Sequence, residues 1–330
     1  MKIRVLGSGW YGCHIAVHLI NKGYDVVVHE LADKIFAGAS GANPARLHLG
    51  FHYPRSKLTR AACQDHYLTF MKHYGDLTSV VPINIYAIAQ DHSLVDFGTY
   101  KQVLQGEVDF IDIHNPGDYG LRNVEGALLT GERHVVIKRA REYFTEALKD
   151  HIVFFKRAGD VDDIKWDLTI DCTFCSFDGT NIDRYEPCIM GIMRGDCRQA
   201  VTIMDGPFTS IYPWDESRGF VSITSAKLTP LSKECKTYEE AQDILDNMMP
   251  SEAVAKIREM RYDIAEYWPD AKDFLIDNYM FSIRAMPLSG ADARLVDIVE
   301  GERSLRVRAG KIDAIFHAAE EVERLIEQRK

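Results

Sequence analysis

No apolar run in this chain approaches the roughly 20 residues that a membrane-spanning helix needs. Basic charge is also in short supply. Lys and Arg total 39 against 49 Asp and Glu, a formal net charge of −10, which disfavours nucleic acid and anionic membrane surfaces as partners. Cysteine is neither dense nor even in number: seven are scattered through 330 residues, which fits free thiols in a reducing compartment better than a disulfide framework. The N-terminus lacks the layout of a secretory signal, because an apolar strand and a glycine turn begin at once. A cytoplasmic location is therefore expected. What remains, 46% hydrophobic and 27% charged residues, is the composition of an ordinary enzyme, long enough for one large or two intimately joined domains.

The first thirty residues carry the clearest pattern. Lys2-Ile3-Arg4-Val5-Leu6 reads as a short buried strand running into Gly7-Ser8-Gly9-Trp10-Tyr11-Gly12. An amphipathic helix follows, with Ile15, Ala16, Leu19 and Ile20 on one face and its end at Gly23; a second strand, Val26-Val27-Val28, closes at Glu30. This is a dinucleotide-binding unit. Gly7 permits the tight turn, Gly9 lets the backbone approach a pyrophosphate, and Gly12 lets helix and strand pack closely. The helix N-terminus offers N–H groups and partial positive charge to phosphates. Glu30 can accept hydrogen bonds from an adenosine ribose, and its charge would repel the 2′-phosphate of NADP.

The next stretch is rich in small residues, Ala37-Gly38-Ala39-Ser40-Gly41-Ala42-Asn43-Pro44-Ala45, and then crowds Arg46, His48, His52, Tyr53 and Arg55 into ten positions. A polar loop of solvated cations is the plain reading. Following a dinucleotide unit, a ligand site beyond the strand ends is the sharper one. This whole stretch resembles the FAD-dependent oxidoreductases of the D-amino-acid oxidase superfamily. Ser40-Gly41-Ala42-Asn43 followed by His48-Leu49-Gly50-Phe51-His52-Tyr53 is similar to the L-2-hydroxyglutarate oxidase branch. The resemblance implies that the glycine turn, with Ser8, Tyr11, Glu30 and the adjoining Leu31, binds the ADP half of FAD. It implies that Ala39, Ser40, Asn43, Arg46, Leu47 and His48 line the flavin, with His52 and Tyr53 near its reactive edge.

Further along, Lys57 to Tyr74 reads as a helix with Leu58, Ala61, Ala62, Tyr67, Leu68, Phe70 and Met71 making apolar contacts. Val80 to Ala89 reads as a strand, and Asp91 to Thr130 as the start of an antiparallel layer. Arg133 to Ala147 reads as helix, Ile152 to Phe155 as a buried strand, and Leu168 to Thr173 as another. Regular strands from Ile189 to Thr224 indicate an antiparallel sheet, in which Tyr212 and Trp214 face either substrate or core. Thr237 to Ile264 is helical, broken at Pro250. Superfamily members usually end the Leu168–Thr173 strand in small residues and a glycine; Cys172-Thr173-Phe174 departs from that, and Thr173 is the FAD contact it leaves, with Val161 implied as a backbone contact to adenine. Cys172 and Cys175 form a C-x-x-C that follows a strand rather than opening a helix, so two unrelated thiols are favoured over a redox pair.

At the C-terminal end, Tyr279 to Pro287 reads as a strand carrying Arg284, and Ser304 to Arg308 as another that meets Ala309-Gly310-Lys311-Ile312 and a helix. This resembles the superfamily's C-terminal flavin motif, notably the Gly-Lys-Ile turn of its glycerol-3-phosphate dehydrogenase branch. Gly310, Lys311 and Ile312 would then meet the flavin, where a helix start and a lysine stabilise negative charge.

The expected fold is α/β (α+β): a Rossmann-type FAD-binding domain from residues 1–80, 131–175 and 280–330, with an inserted, mainly antiparallel substrate domain from 81–130 and 176–279. The expected function is oxidation of a small polar, anionic substrate (a 2-hydroxy acid, an amino acid, or an amine or sugar derivative) by hydride transfer to flavin N5. His52 would take the hydroxyl proton and Tyr53 orient the substrate. Arg284 and Arg46 would hold a carboxylate or phosphate, either also being able to touch the flavin. A non-redox sugar-nucleotide mutase, a non-catalytic flavin-fold binding protein and a nicotinamide dehydrogenase are the alternatives. No metal site, nucleic-acid partner or membrane span is expected.

Overall fold

The computed structural model describes residues 1–157, 165–173, 176, 182–287, 296–308 and 311–329. Val161, Cys175 and Gly310 lie outside them.

In chain order, β1 (Lys2–Leu6), α1 (Trp10–Asn21) and β2 (Asp25–His29) form the opening unit. They are followed by β3 (Arg46–Leu47), α2 (Lys57–Tyr74), β4 (Thr78–Val80), β5 (Ile83–Ala89), α3 (Phe97–Leu104), β6 (Phe110–Ile113), β7 (Val124–Thr130) and β8 (Arg133–Val135). The middle comprises α4 (Ile137–Ala147), β9 (Ile152–Val153), β10 (Leu168–Asp171), β11 (Ile182–Arg194), β12 (Gln199–Met204), β13 (Thr209–Asp215) and β14 (Phe220–Ser225). The rest is α5 (Tyr238–Asp246), α6 (Pro250–Ala265), β15 (Leu275–Pro287), β16 (Asp297–Glu300), β17 (Ser304–Arg308) and α7 (Ile315–Glu327).

The strands form three sheets. A six-stranded sheet has the order β16-β17-β10-β1-β2-β9, parallel except for the antiparallel edge strand β16. An eight-stranded sheet has the order β15-β11-β14-β13-β12-β5-β7-β6, antiparallel except where β12 pairs with β5 in parallel. A small sheet, β3-β8-β4, is the third. The α/β class, with one parallel nucleotide-binding sheet and one mainly antiparallel sheet, is thus the observed architecture.

Two apolar clusters explain why these layers hold. The first gathers Ile3, Val5 and Val28 with Ile15 and Leu19 of α1, Phe144 of α4, and Ala318 and Val322 of α7. The second joins Ile85, Ile189, Val201, Ile211, Val221 and Ile223 to Ile257, Met260 and Ile264 of α6. Strand side chains alternate between faces, so the residues between those positions point the other way. That opposite face carries Asn84, Tyr86, Glu186, Thr202, Tyr212, Ser222 and Arg284. It is the polar face of the large sheet, and it is where the small sheet docks.

Several elements differ from the sequence reading. The Val80–Ala89 run divides at Pro82 into β4 and β5, which join different sheets. Arg133–Val135 is strand, and the helix begins only at Ile137. The Ile152–Phe155 segment is a two-residue edge strand rather than a buried one, with Phe155 75% exposed. Leu58 and Leu68 of α2 face outward. β15, grouped from residue 280 with the C-terminal nucleotide segments, pairs with β11 at the edge of the eight-stranded sheet.

Candidate functional site

The glycine turn lies at the C-terminal edge of the parallel sheet, between β1 and α1. Gly7 adopts φ +88°, and a Cβ there would sit 2.9 Å from the Cys172 carbonyl oxygen. A Cβ on Gly12 would lie 1.9 Å from the Gly7 oxygen, and one on Gly9 would lie 2.8 Å from Ser40 Oγ. These contacts leave no room for side chains and bring bare backbone to the mouth of the turn. No acidic residue neutralises the first turn of α1. Trp10 N–H donates to Ser40 Oγ at 3.0 Å. At the end of β2, Glu30 accepts from the Ser8 N–H (2.7 Å), the Ser8 hydroxyl (2.6 Å) and the Ala32 N–H (2.8 Å). Two backbone donors thus fix the carboxylate beside the turn, and a carboxylate's lone pairs are not exhausted by three bonds. Leu31 is exposed next to it.

The small-residue segment crosses this turn. Phe36, at φ +58°, donates its N–H to the Ser8 carbonyl at 3.1 Å. A Cβ on Gly41 would lie 2.1 Å from the Phe36 oxygen. The Asn43 side chain donates to the carbonyls of Ala39 (2.8 Å) and Ser40 (3.1 Å) and accepts from Ala45 N–H at 2.7 Å. Asn43 therefore acts as a clip that folds the segment over Gly7–Gly12 and feeds it into β3.

Beyond β3 the chain meets the polar face of the large sheet. Arg46 is buried and donates to Thr202 Oγ1 at 2.7 Å, with its guanidinium 4.5 Å above the Tyr212 ring and Nε unpartnered. Among the described residues no carboxylate pairs with it. Leu47 turns into the core. His48 Nδ1 lies 3.6 Å from Glu132 Oε1. Glu132, 1% exposed, also accepts from Leu49 N–H (2.7 Å) and the Tyr86 hydroxyl (2.5 Å). Burial pushes this carboxyl up, but His48, the Tyr86 hydroxyl and the Leu49 N–H outweigh it and hold it below its ordinary range. Asn84 completes the network by donating to the Glu132 carbonyl and the Tyr212 hydroxyl, each at 3.3 Å. Thr202 and Tyr86 are register partners, so Arg46 and His48 stand over adjacent positions of one sheet face.

His52 is exposed, its ring 5.6 Å from His48 and 5.7 Å from Tyr53. The Tyr53 ring carries Lys311 Nζ 3.8 Å from its centroid. Lys311 Nζ also lies 2.7 Å from Cys63 Sγ on α2, and the Tyr11 hydroxyl donates to the Lys311 carbonyl. Burial works against the Lys311 ammonium, but Tyr53, Cys63 and Asp313 together raise its pKa. Ile312 packs against the first core cluster. Asp313 is buried with neither carboxylate oxygen hydrogen-bonded. Thr173 turns back to Asp171 through its N–H (2.8 Å) and hydroxyl (2.7 Å).

The structure therefore gathers the glycine turn, Glu30 and Ala39–Asn43 in one place, and Arg46, His48, His52, Tyr53 and Lys311 near one another. Arg284 stands apart. It bonds Glu186 at 2.7 Å on its own sheet edge, four strand positions from β12, or roughly 19 Å at standard strand spacing. Glu132, Asn84, Tyr86, Thr202, Cys63 and Asp313 were not picked out from the sequence. The alternation of Asn84 and Tyr86 within β5 was a usable signal. Glu132, in a turn between two strands, offered none.

The bare glycine backbone, the unneutralised start of α1 and the fixed Glu30 carboxylate fit an ADP moiety. Gly7, Gly9, Gly12 and Glu30 are the residues that would hold it. Among the described residues no cluster of three or more His, Cys, Asp or Glu side chains is suited to a metal, and no helix is long and apolar enough to cross a membrane.

Comparison with known proteins agrees with this geometry. The chain is 32% identical to the FAD-dependent monooxygenase FPY4 of Fusarium mangiferae over 338 residues, covering 99% of this chain and 91% of that protein. It is 26% identical to the FAD-dependent monooxygenase kojA of Aspergillus flavus, covering 99% and 86%. Its fold matches the crystal structure of glycine oxidase from Geobacillus kaustophilus with a TM-score of 0.71 at 13% identity, covering 99% and 95%. The model of the DAO family, described as FAD dependent oxidoreductase, matches residues 2–168. The chain belongs to this family of FAD-dependent oxidoreductases, and FAD is its cofactor.

Proposed function

We propose that this protein oxidises a small anionic substrate, with the six-stranded sheet and its helices holding FAD and the polar face of the eight-stranded sheet holding the substrate. The observation that carries this reading is a buried guanidinium, Arg46, with no carboxylate partner among the described residues, beside a histidine that faces a buried carboxylate. A bidentate, permanently charged donor suits a substrate carboxylate. When bound, FAD would supply a two-electron acceptor for the substrate's hydride.

The chain's own residues supply the rest. Arg46, held by Thr202 and stacked over Tyr212, orients the acid group. Glu132 faces the Nδ1 side of His48, leaving Nε2 to take the proton of a hydroxyl or amine. His52, exposed near His48, passes it to solvent. Tyr53 and Lys311 bound the site on the flavin side, and Lys311 opposes negative charge there. Arg284, compensated by Glu186 on the sheet edge, stands apart from this group. The likeness of Ser40–Asn43 and His48–Tyr53 to the L-2-hydroxyglutarate oxidase branch supports a 2-hydroxy acid first, an amino acid or amine second. The cysteines among the described residues are all free, which supports a reducing, cytoplasmic setting.

The test is spectroscopic. Purified protein carries flavin absorbance, and anaerobic addition of 2-hydroxy acids, amino acids or amino sugars bleaches it for the true class. Arg46→Met is expected to raise KM for the bleaching substrate by tenfold or more while the protein stays yellow; an unchanged KM removes Arg46 from substrate binding. A second reading, oxygen insertion, is favoured by the names of the two curated relatives. It predicts product carrying oxygen from isotopically labelled dioxygen, whereas simple oxidation leaves the label in peroxide or water.

A further inference from the structure

Lys311 and Cys63 are separated by 248 residues of sequence, yet their Nζ and Sγ atoms stand 2.7 Å apart. The other sulfur hydrogen bonds of the described residues, made by Cys13, Met71, Cys188 and Cys197, span 3.2 to 3.8 Å. The lysine–cysteine contact is thus half an ångström shorter than any of these, and one bridging oxygen atom spans it without moving either backbone. Cys63 is 1% exposed. The same ammonium lies 3.8 Å from the centroid of the Tyr53 ring. Asp313, buried without a hydrogen bond, acts electrostatically on both Lys311 and Cys63.

We propose that Lys311 and Cys63 form a reversible nitrogen–oxygen–sulfur cross-link when the protein meets hydrogen peroxide. In the first step peroxide oxidises the Cys63 thiol to a sulfenic acid: an S–O bond forms, the O–O bond breaks and one water leaves. In the second, the neutral amine of Lys311 is joined to the sulfenic oxygen. An N–O bond forms, Nζ and the sulfenic hydroxyl each lose one hydrogen, and a second peroxide takes up both and leaves as two waters. Four electrons pass from sulfur and nitrogen to two peroxides. The extra proton of the lysine ammonium passes to solvent. Two equivalents of dithiol return the thiol and the amine and release the bridging oxygen as water.

The bridge ties α2 to the turn before α7 and removes the Lys311 charge. Burial pushes the Cys63 thiol up to about 11, with the Lys311 charge pulling the other way, so cross-linking is faster as pH rises from 7. Only its effect on turnover rests on the proposed function; the bond itself does not.

The experiment is intact-mass measurement of the purified holoenzyme after hydrogen peroxide, followed by proteolytic peptide mapping. The expected result is a gain of one oxygen less two hydrogens, a linked peptide pair containing Cys63 and Lys311, a higher melting temperature, and full reversal by dithiothreitol. Cys63→Ser and Lys311→Gln must each abolish the linked pair. Gains of one, two or three whole oxygens on Cys63 without a linked peptide overturn the proposal. So does a loss of two hydrogens alone, which signals a direct sulfur–nitrogen bond, or persistence of the link in Cys63→Ser.

Discussion

Buried polar residues set the acid limit of this protein and, in the proposed mechanism, its chemistry. Glu132 is the central case: its carboxyl is held low although burial favours the neutral form. A carboxyl with a depressed folded pKa stabilises above its unfolded value, 4.5, and that contribution fades as pH falls through the folded value. Glu132→Gln removes the charge but keeps the shape. We expect it to destabilise at pH 7 by about 1–3 kcal/mol and to cut flavin reduction at least tenfold. Its melting-temperature deficit relative to the parent should shrink below pH 4.5.

Histidines buried in neutral form act in the same direction at milder acidity. Burial depresses His134 from 6.5 to about 4 and His14 to about 3. Between pH 6.5 and 4 the unfolded chain binds protons that the folded one refuses, so stability rises with pH across that window. The loss from His134 alone reaches on the order of 3 kcal/mol at the acid end. Thermal melts from pH 7 to 4.5 should show this slope, and His134→Phe should flatten it. An unchanged slope would mean that His134 titrates normally.

At the scale of elements, the opening strand–turn–helix was legible because each residue type serves one local requirement. Gly12→Ala drives a Cβ to 1.9 Å from the Gly7 oxygen. We expect α1 to shift, flavin absorbance to be lost and stability to fall by about 1–3 kcal/mol or more. Gly23, at φ +86° with nothing within 4 Å of its Cβ, makes the contrast. Gly23→Ala should cost about 1 kcal/mol and leave flavin content unchanged, as absorbance ratios would show. Elements were misread where local pattern is shared between sheets. Val80, Val81 and the start of β5 form one apolar run in the sequence, and only Pro82 interrupts it. Val153 and Phe155 look buried in sequence, but β9 lies at an edge with one neighbour and Phe155 falls beyond its end.

At the scale of the whole molecule, FAD held as proposed would link segments distant in the chain: the glycine turn, the 39–53 segment and the Lys311 region. A ligand that binds only the folded state adds about 2.7 kcal/mol at a hundredfold excess over its Kd. Removing FAD should therefore lower the melting temperature by several degrees, and adding it back should restore the loss in a concentration-dependent way. A melting temperature indifferent to FAD would mean that the cofactor is not held by these segments together.

Some of this protein was determined by sequence alone. The glycine turn, the Glu30 carboxylate and the apolar periodicity of α1 and α6 are local, since neighbours in the chain set backbone conformation and face. The FAD class followed from those residues and from a resemblance at both chain ends. The tertiary structure decided which polar groups share a site. Glu132 meets Tyr86 across 46 residues, Arg46 meets Thr202 across 156, and Lys311 meets Cys63 across 248. No periodicity encodes such pairs. They arise when the small sheet docks on the polar face of the large one, and when the C-terminal turn closes against α2.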